Sequence, residues 1–410
     1  METKAKWTYM VYMAGDNSLS TAGDEDLREM RQVGSSPDVN VLVQFDNAGN
    51  KGTRRFYIRR GGINEKVEEL EETDSGDPNV LKDFIAWSCD NYPADRYALI
   101  LWNHGGGWEP SDLDRLARCE RTKNWNTREA SYMTASKLKK TFFNTTVSEI
   151  LNLDSSNLRA ICSDDGSGHS LDTIELGKVL AYAKEKLGQP LDILGMDACL
   201  MSNLEVAYQA EPYVKYIVSS EESEPGEGWP YSSILNILDK NPGISTPEFC
   251  CEMVKAYTKT YNEWGQSDVT QSAFDLSKVK DAAKSLDSLA EALIDKMPDV
   301  ITAIERAQNK SKSFFYYTLW DASNFCKVLS GLTPDSNVNQ TAQNVVQEFK
   351  ANSGKFIIAE SHLGKDYDQC CGASVYLIPR PHCVSKYYAD LEFAKDCKNW
   401  PLMLQKYHDY

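Results

Sequence analysis

The chain has 410 residues, past the roughly 250–300 at which a single hydrophobic core stops growing, so one large domain with a smaller companion is the first expectation. Its 41% hydrophobic and 10% aromatic content excludes general disorder. Lys plus Arg against Asp plus Glu is 44 − 60, a net charge of −16, which argues against nucleic acid or an anionic membrane as the main partner and is compatible with basic ligands.

Met1 to Lys6 is short and polar with no signal-peptide layout, so cytoplasmic residence is expected, or secretion if a leader precedes this sequence. No stretch reaches the ~18 apolar residues of a membrane span. Trp7–Met13 and Val39–Phe45 read as strands, and Asp77-Pro78 opens a helix reaching Cys89, with an acidic cap and a proline in the first turn. Tyr97–Trp102 is a near-continuous apolar run, the pattern of a strand buried on both faces of a parallel sheet. Residues 109–158 form a long polar insertion of the kind that serves as lid, binding loop or processing site, with a helical piece around Ala135–Phe143 and a sequon at Asn144-Thr145-Thr146. Leu171–Lys186 is a helix ended by Gly188 and Pro190. Strands Leu191–Met196 and Tyr216–Ser219 follow, separated by the helix-like Leu200–Ala210.

This alternation predicts an α/β domain over 1–265, a mostly parallel sheet flanked by helices. After about Gln266 the character changes. Val269–Asp275 is strand-like, helical patterns dominate Ser277 to Phe349, and strands Lys355–Ser361 and Ala373–Ile378 precede two short helices. A smaller, helix-rich C-terminal domain is expected over 266–410. The aromatic run Phe314-Phe315-Tyr316-Tyr317 with Trp320 there reads as core packing.

In an open parallel sheet, ligands bind at the carboxyl ends of the strands. Two strands end in unusual chemistry: Tyr97–Trp102 runs into Asn103-His104-Gly105-Gly106-Gly107-Trp108, and Leu191–Met196 into Asp197-Ala198-Cys199-Leu200. Only five histidines occur in the chain, so one beside three glycines at a strand end stands out. The pair suits thiol catalysis. A thiolate attacks a carbonyl, and a neighbouring histidine takes the thiol proton and returns it to the leaving amine. The glycines let a substrate carbonyl approach the backbone, where their N–H groups and that of Cys199 could stabilise an oxyanion. A helix starting after Cys199 would favour the thiolate. Asp197 lies two residues before Cys199, on the same side of a strand, and a pocket for Arg or Lys needs such a carboxylate. A strand-end cap is its competing role. Glu227, in the glycine-flanked loop after Tyr216–Ser219, is the second candidate acid.

The sequence resembles the clostripain family of cysteine peptidases (C11), within the caspase-like (caspase–hemoglobinase) clan. The residues that carry the likeness are Tyr9-Met10-Val11-Tyr12-Met13-Ala14-Gly15-Asp16-Asn17, Trp102-Asn103-His104-Gly105, Met196-Asp197-Ala198-Cys199-Leu200-Met201 and Glu224-Pro225-Gly226-Glu227-Gly228-Trp229-Pro230-Tyr231, with Gly372–Ile378 as a late strand. The resemblance implies a caspase-like fold, His104 as base, Cys199 as nucleophile, Gly105 beside the oxyanion, and cleavage of peptides or proteins after Arg or Lys. In similar proteins, acids at the places of Asp197 and Glu227 line the pocket for the residue before the cut bond (S1). Some members cut themselves between histidine and cysteine, which makes Arg115, Arg118, Arg121 and Lys123 candidate self-cleavage points, with Lys137, Lys139 and Lys140 further along.

The chemistry requires no cofactor, while calcium, an activator in parts of the family, stays open. Asp164-Asp165-Gly166-Ser167-Gly168 is rich in carboxylates, yet it lacks the EF-hand ligand series and reads first as a turn and helix cap. The eleven cysteines form no CxxC pairs, and Cys370-Cys371 with His382-Cys383 is a poor zinc site because adjacent cysteines hardly share one tetrahedral ion. No Gly-x-Ser-x-Gly elbow, Walker loop or Gly-x-Gly-x-x-Gly turn is present. The alternative from another class is a catalytically silent protein of this fold that binds basic peptides through Asp197 and Glu227.

Overall fold

The computed structural model describes residues 4–17, 19–48, 52–63, 65–108, 171–314, 318–380, 382, 384–385 and 388–410. The expected apolar runs become the middle of one sheet: β1 (Ala5–Gly15), β2 (Val39–Asn47), β5 (Ala94–Trp102), β6 (Leu191–Asp197) and β7 (Val214–Ser219). They lie parallel in the order β7-β6-β5-β1-β2. The chain first runs outward from β1 to β2 and then returns to the other side of β1, so the order reverses between β1 and β5. Such a reversal opens a crevice at the carboxyl edge of a sheet.

Both faces of the central strands are buried, as their composition requires. Along β1, Met10, Tyr12 and Ala14 enter one apolar cluster while Trp7, Tyr9, Val11 and Met13 enter the other. The first face is covered by α2 (Pro78–Asn91) and α3 (Thr173–Leu187), the second by α1 (Ser20–Val33), α5 (Tyr231–Lys240) and α6 (Thr246–Glu263). Caps place the helix starts. The Asp77 carboxylate accepts from Asn79 N–H ahead of Pro78, and Asp172 and Glu175 form a capping box at α3.

Antiparallel strands close the sheet on both sides. β3 (Thr53–Tyr57) and β4 (Lys66–Glu69) extend it beyond β2, and β8 (Val269–Asp275) and β10 (Ile357–Leu363) extend it beyond β7. The expected boundary near 265 falls just before β8, so residues on either side of it share this sheet. α7 (Val279–Lys296), α8 (Ile301–Lys310), α9 (Ala322–Leu332), α10 (Ser336–Glu348) and α12 (Asn399–Asp409, after the short α11, Glu392–Asp396) pack beside it. β9 (Leu319–Asp321) and β11 (Ser374–Tyr376) make a separate antiparallel pair, and Ser374 N–H donates to Ser202 O (2.9 Å). Phe314 and Trp320 are buried core residues, while 315–317 lie outside the described residues.

The structure corrects the expected helix after Cys199. α4 (Leu204–Ala210) begins only at Leu204, where the Asn203 side chain accepts from the N–H groups of Glu205 and Val206. Cys199 therefore sits outside the first turn, and the helix end does not reach it; helix-end effects fall off within that turn. The turn through Cys199 carries instead a left-handed Leu200 (φ 66°), uncommon for a residue with a side chain.

Candidate active site

β5 and β6 are hydrogen-bonded neighbours, with Trp102 opposite Asp197, and Asn103 N–H donates to Asp197 O (3.2 Å). The two motifs therefore leave the sheet side by side. Gly105 then lies against the main chain of Cys199: a Cβ there would meet Cys199 O at 2.3 Å and Cys199 N at 3.1 Å. Only glycine permits that approach. Asn103 fixes the histidine's entry. Its Nδ2 donates to Ala14 O (2.6 Å), and its Oδ1 accepts from His104 N–H and from Asn17 Nδ2 (3.5 Å). Trp108, buried edge-on against Tyr376 and Tyr388, anchors the far end of the glycine segment.

Cys199 is 7% exposed. Its Sγ accepts from Glu224 N–H (3.3 Å), and its S–H points at Glu224 O (3.9 Å). Burial pushes the thiol up to about 12, opposed by the hydrogen bond from Glu224 N–H. His104 is partly buried, and loss of solvation pushes its imidazole down to about 4. Burial thus favours the uncharged form of each member of the expected dyad.

Buried acids gather around Asp197, two residues before Cys199. Asp197 is 5% exposed and accepts from Tyr231 Oη (2.8 Å) and Trp229 N–H (3.2 Å). Trp229 reaches it by stacking over Gly195, where any Cβ would strike the indole. Gly228 (φ 62°) brings the loop within contact of the carboxylates of Asp197 and Asp26. Burial raises Asp197 to about 6, against the pull of its hydrogen bonds from Glu224, Tyr231 and Trp229.

Glu227 does not join this group. It is exposed, and its Oε1 accepts from Gln266 Nε2 (2.9 Å). The acid that the loop buries beside Asp197 is Glu224, 8% exposed, whose Oε1 accepts from Trp229 Nε1 (3.3 Å). Asp26 of α1, 4% exposed, is a third carboxylate here, accepting from Trp102 Nε1 (2.7 Å). Burial and the Asp197 charge hold both Glu224 and Asp26 well above the usual carboxylate range. Asp26 had a signal in sequence: with Gly23, Leu27, Met30 and Val33 it falls on the buried stripe of α1, an acid at an apolar position. Glu224 stood in the same motif as Glu227, with nothing local to distinguish the two.

A family model described as the clostripain family (peptidase C11) matches residues 11–156 and 151–407. The chain belongs to the clostripain family of cysteine peptidases. Clostripain from Hathewaya histolytica is 27% identical to it over 336 residues, covering 70% of this chain and 56% of that protein, so the chain spans little more than half the length of this curated relative. Two crystal structures share the fold. An inactive zymogen C11 protease from Parabacteroides distasonis aligns with a TM-score of 0.66 and 20% identity over 97% of this chain and 99% of that one. A secreted C11 cysteine protease from Bacteroides thetaiotaomicron, in complex with an irreversible peptide inhibitor, aligns with a TM-score of 0.64 and 19% identity over 96% and 99%.

In this member of the family, Arg115, Arg118, Arg121, Lys123 and the lysines at 137, 139 and 140 lie outside the described residues, as do Asp164–Gly168, the sequon and Cys383. Among the described residues, no His, Cys, Asp and Glu side chains are grouped to hold a metal ion. Among them, too, no helix is long and apolar enough to cross a membrane.

Proposed function

We propose that this chain is a cysteine endopeptidase that cuts peptide bonds after Arg or Lys, with Cys199 as nucleophile and His104 as general base. The observation that carries the reading is the seating of Gly105 on the Cys199 main chain, two residues after the buried Asp197 that ends β6. Nucleophile, base and a carboxylate for a cationic side chain then share one strand edge.

The chemistry starts from an uncharged dyad. His104 accepts the thiol proton as Sγ attacks the carbonyl, and the Gly105 and Cys199 N–H groups are the donors assigned to the oxygen that becomes negative. Imidazolium then protonates the leaving amine, and the thioester is hydrolysed by a water that His104 deprotonates. Because burial favours the uncharged thiol and imidazole, proton transfer accompanies attack rather than preceding it.

Short fluorogenic peptides with Arg, Lys, Asp or Asn before the cut bond, assayed under reducing conditions with and without calcium, test the assignment. Turnover of the Arg and Lys peptides alone is expected. Cleavage after Asp or Asn would sink the pocket assignment, and silence from intact folded protein would favour a binder of basic peptides. The calcium arm also decides whether that ion is an activator. Analysis of the purified chain for cuts at Arg115, Arg118, Arg121 or Lys123 tests self-processing.

Gly105→Ala has a sharp expectation. Its Cβ cannot fit against Cys199 O, so the His104 segment must move away. A displacement near 1 Å costs about 100-fold in rate, and overpacking about 1–3 kcal/mol of stability. Kinetics beside thermal melting would separate the two. Full activity in this variant would show that the contact is not needed for catalysis.

Cytoplasmic residence belongs to the same proposal, supported by free thiols at the eight described cysteines. The Bacteroides thetaiotaomicron structure is of a secreted protein, which supports the other location.

A further inference from the structure

Glu224 is built into the site at two levels. Its main chain brackets the nucleophile, donating to Sγ and facing the S–H through its carbonyl. Its side chain hydrogen-bonds with Asp197. There Oε1 takes the Trp229 indole N–H, while Oε2 is buried and meets no N–H or O–H donor among the described residues. Two carboxylates sealed from water in mutual contact cannot both ionise, and one proton must lie between them. The donors decide which acid holds it. Asp197 receives the Tyr231 hydroxyl and the Trp229 N–H on Oδ2, which favours its charged form. Glu224 has the long bond from Trp229 Nε1 (3.3 Å) and a side-chain hydrogen bond with Gln271, and among the described residues no donor lies as close to either of its oxygens as Tyr231 Oη does to Asp197 (2.8 Å).

We propose that Glu224 is a positioning residue: it stands as a neutral carboxylic acid whose Oε2–H donates to Asp197, leaving Asp197 as the one charged acceptor for an incoming guanidinium or ammonium. The proposal rests on reading this pocket as the site of a basic side chain. The proton-bearing acid steadies the charged one without adding a second charge to an already acidic pocket. The titratable groups that interact with the pair among the described residues are Tyr9 from β1, Asp26 and Glu29 from α1, Tyr231 from α5, Tyr257 and Tyr261 from α6, and Cys199, while Glu222 and Glu227 act on Cys199 and Tyr261 in turn. Asp26 is also held toward its neutral form, by burial and then by the Asp197 charge.

Kinetics on an Arg peptide and infrared spectroscopy of the free protein test this together. Glu224→Ala should raise KM at least about tenfold with a smaller change in kcat, because the charged acceptor loses its support. Glu224→Gln, whose amide N–H can stand in for the acid's O–H, should recover most of that loss at neutral pH, and any alkaline rise of KM in the wild type should disappear. A Gln variant as damaged as Asp197→Asn would show that position 224 must be charged, and an Ala variant indistinguishable from wild type would show that it has no role. Either result overturns the proposal. Independently of any substrate, the difference spectrum of wild type minus Glu224→Gln at neutral pH should contain the carbonyl band of a protonated acid. A carboxylate band in its place overturns the proposal. The acid band in a protein that cleaves neither Arg nor Lys peptides would remove the substrate reading alone and leave the protonated Glu224 standing.

Discussion

Replacing Cys199 by alanine should abolish peptide hydrolysis, with a fall in kcat/KM of about 10⁴ or more, since no other group in the site can form the thioester. The fold should survive, because the side chain is small and its sulfur hydrogen bonds to Glu224 are long and weak. The same thiol has an expected pH signature. With burial pushing it up to about 12, its alkylation by a small neutral reagent should be slow near pH 7. The rate should then climb about tenfold per pH unit through at least pH 10. A preformed thiolate–imidazolium pair would give a plateau of fast labelling near neutrality instead. A plateau would show that proton transfer precedes attack, and the general-base order of events would have to be abandoned.

Asp197→Asn should be the second large loss. Removing one member of a buried ion pair costs about 2–5 kcal/mol, roughly 30- to 5,000-fold in kcat/KM for an Arg or Lys peptide. Asparagine is nearly the same shape, and its carbonyl oxygen can still accept from Tyr231 Oη and Trp229 N–H, so the loss should be specific to cationic substrates. Burial raises Asp197 to about 6, and it binds a cation only when ionised. In the wild type, kcat/KM for basic peptides should therefore fall as the pH drops through about 6. That limb should vanish in the Asn variant.

Stability has the opposite sign. An acid raised above its unfolded value near 4 binds its proton more tightly in the folded state, so folded stability declines as the pH rises from about 4 to about 6. The Asn variant escapes that decline and should melt no lower than wild type at pH 7. A variant that melts much lower would assign Asp197 to strand-end capping rather than to recognition. Unchanged kcat/KM in a folded variant would remove Asp197 from the S1 pocket.

The central strands were legible in the sequence because β1, β2, β5, β6 and β7 are buried on both faces, and such strands read as apolar runs. The edge hairpin β3–β4 was missed for the converse reason. On the rim, with β3 half-buried and Val67 to Glu69 of β4 exposed, it is rich in charged residues, and its register pairs Arg54 with Glu69 and Arg55 with Glu68. No apolar alternation announces it. The helix after Cys199 was placed too early because Leu200 and Met201 look like the start of an amphipathic run, whereas they are buried in the turn, and Asn203 supplies the cap.

The site divides in the same way. His104 and Cys199 each follow a parallel strand directly, so local sequence determined that both would arrive at one edge of the sheet. Which acids gather around Asp197 was a tertiary matter. The bend at Gly228 and the seat of Trp229 on Gly195 turn Glu224 inward and leave Glu227 to solvent, and α1 supplies Asp26 from a distant part of the chain. Burial and proton sharing are properties of neighbours in space, so residues three positions apart in one motif can have opposite environments. The strand-end motifs carried the reactive groups, and long-range packing decided their protonation and the charge of the pocket.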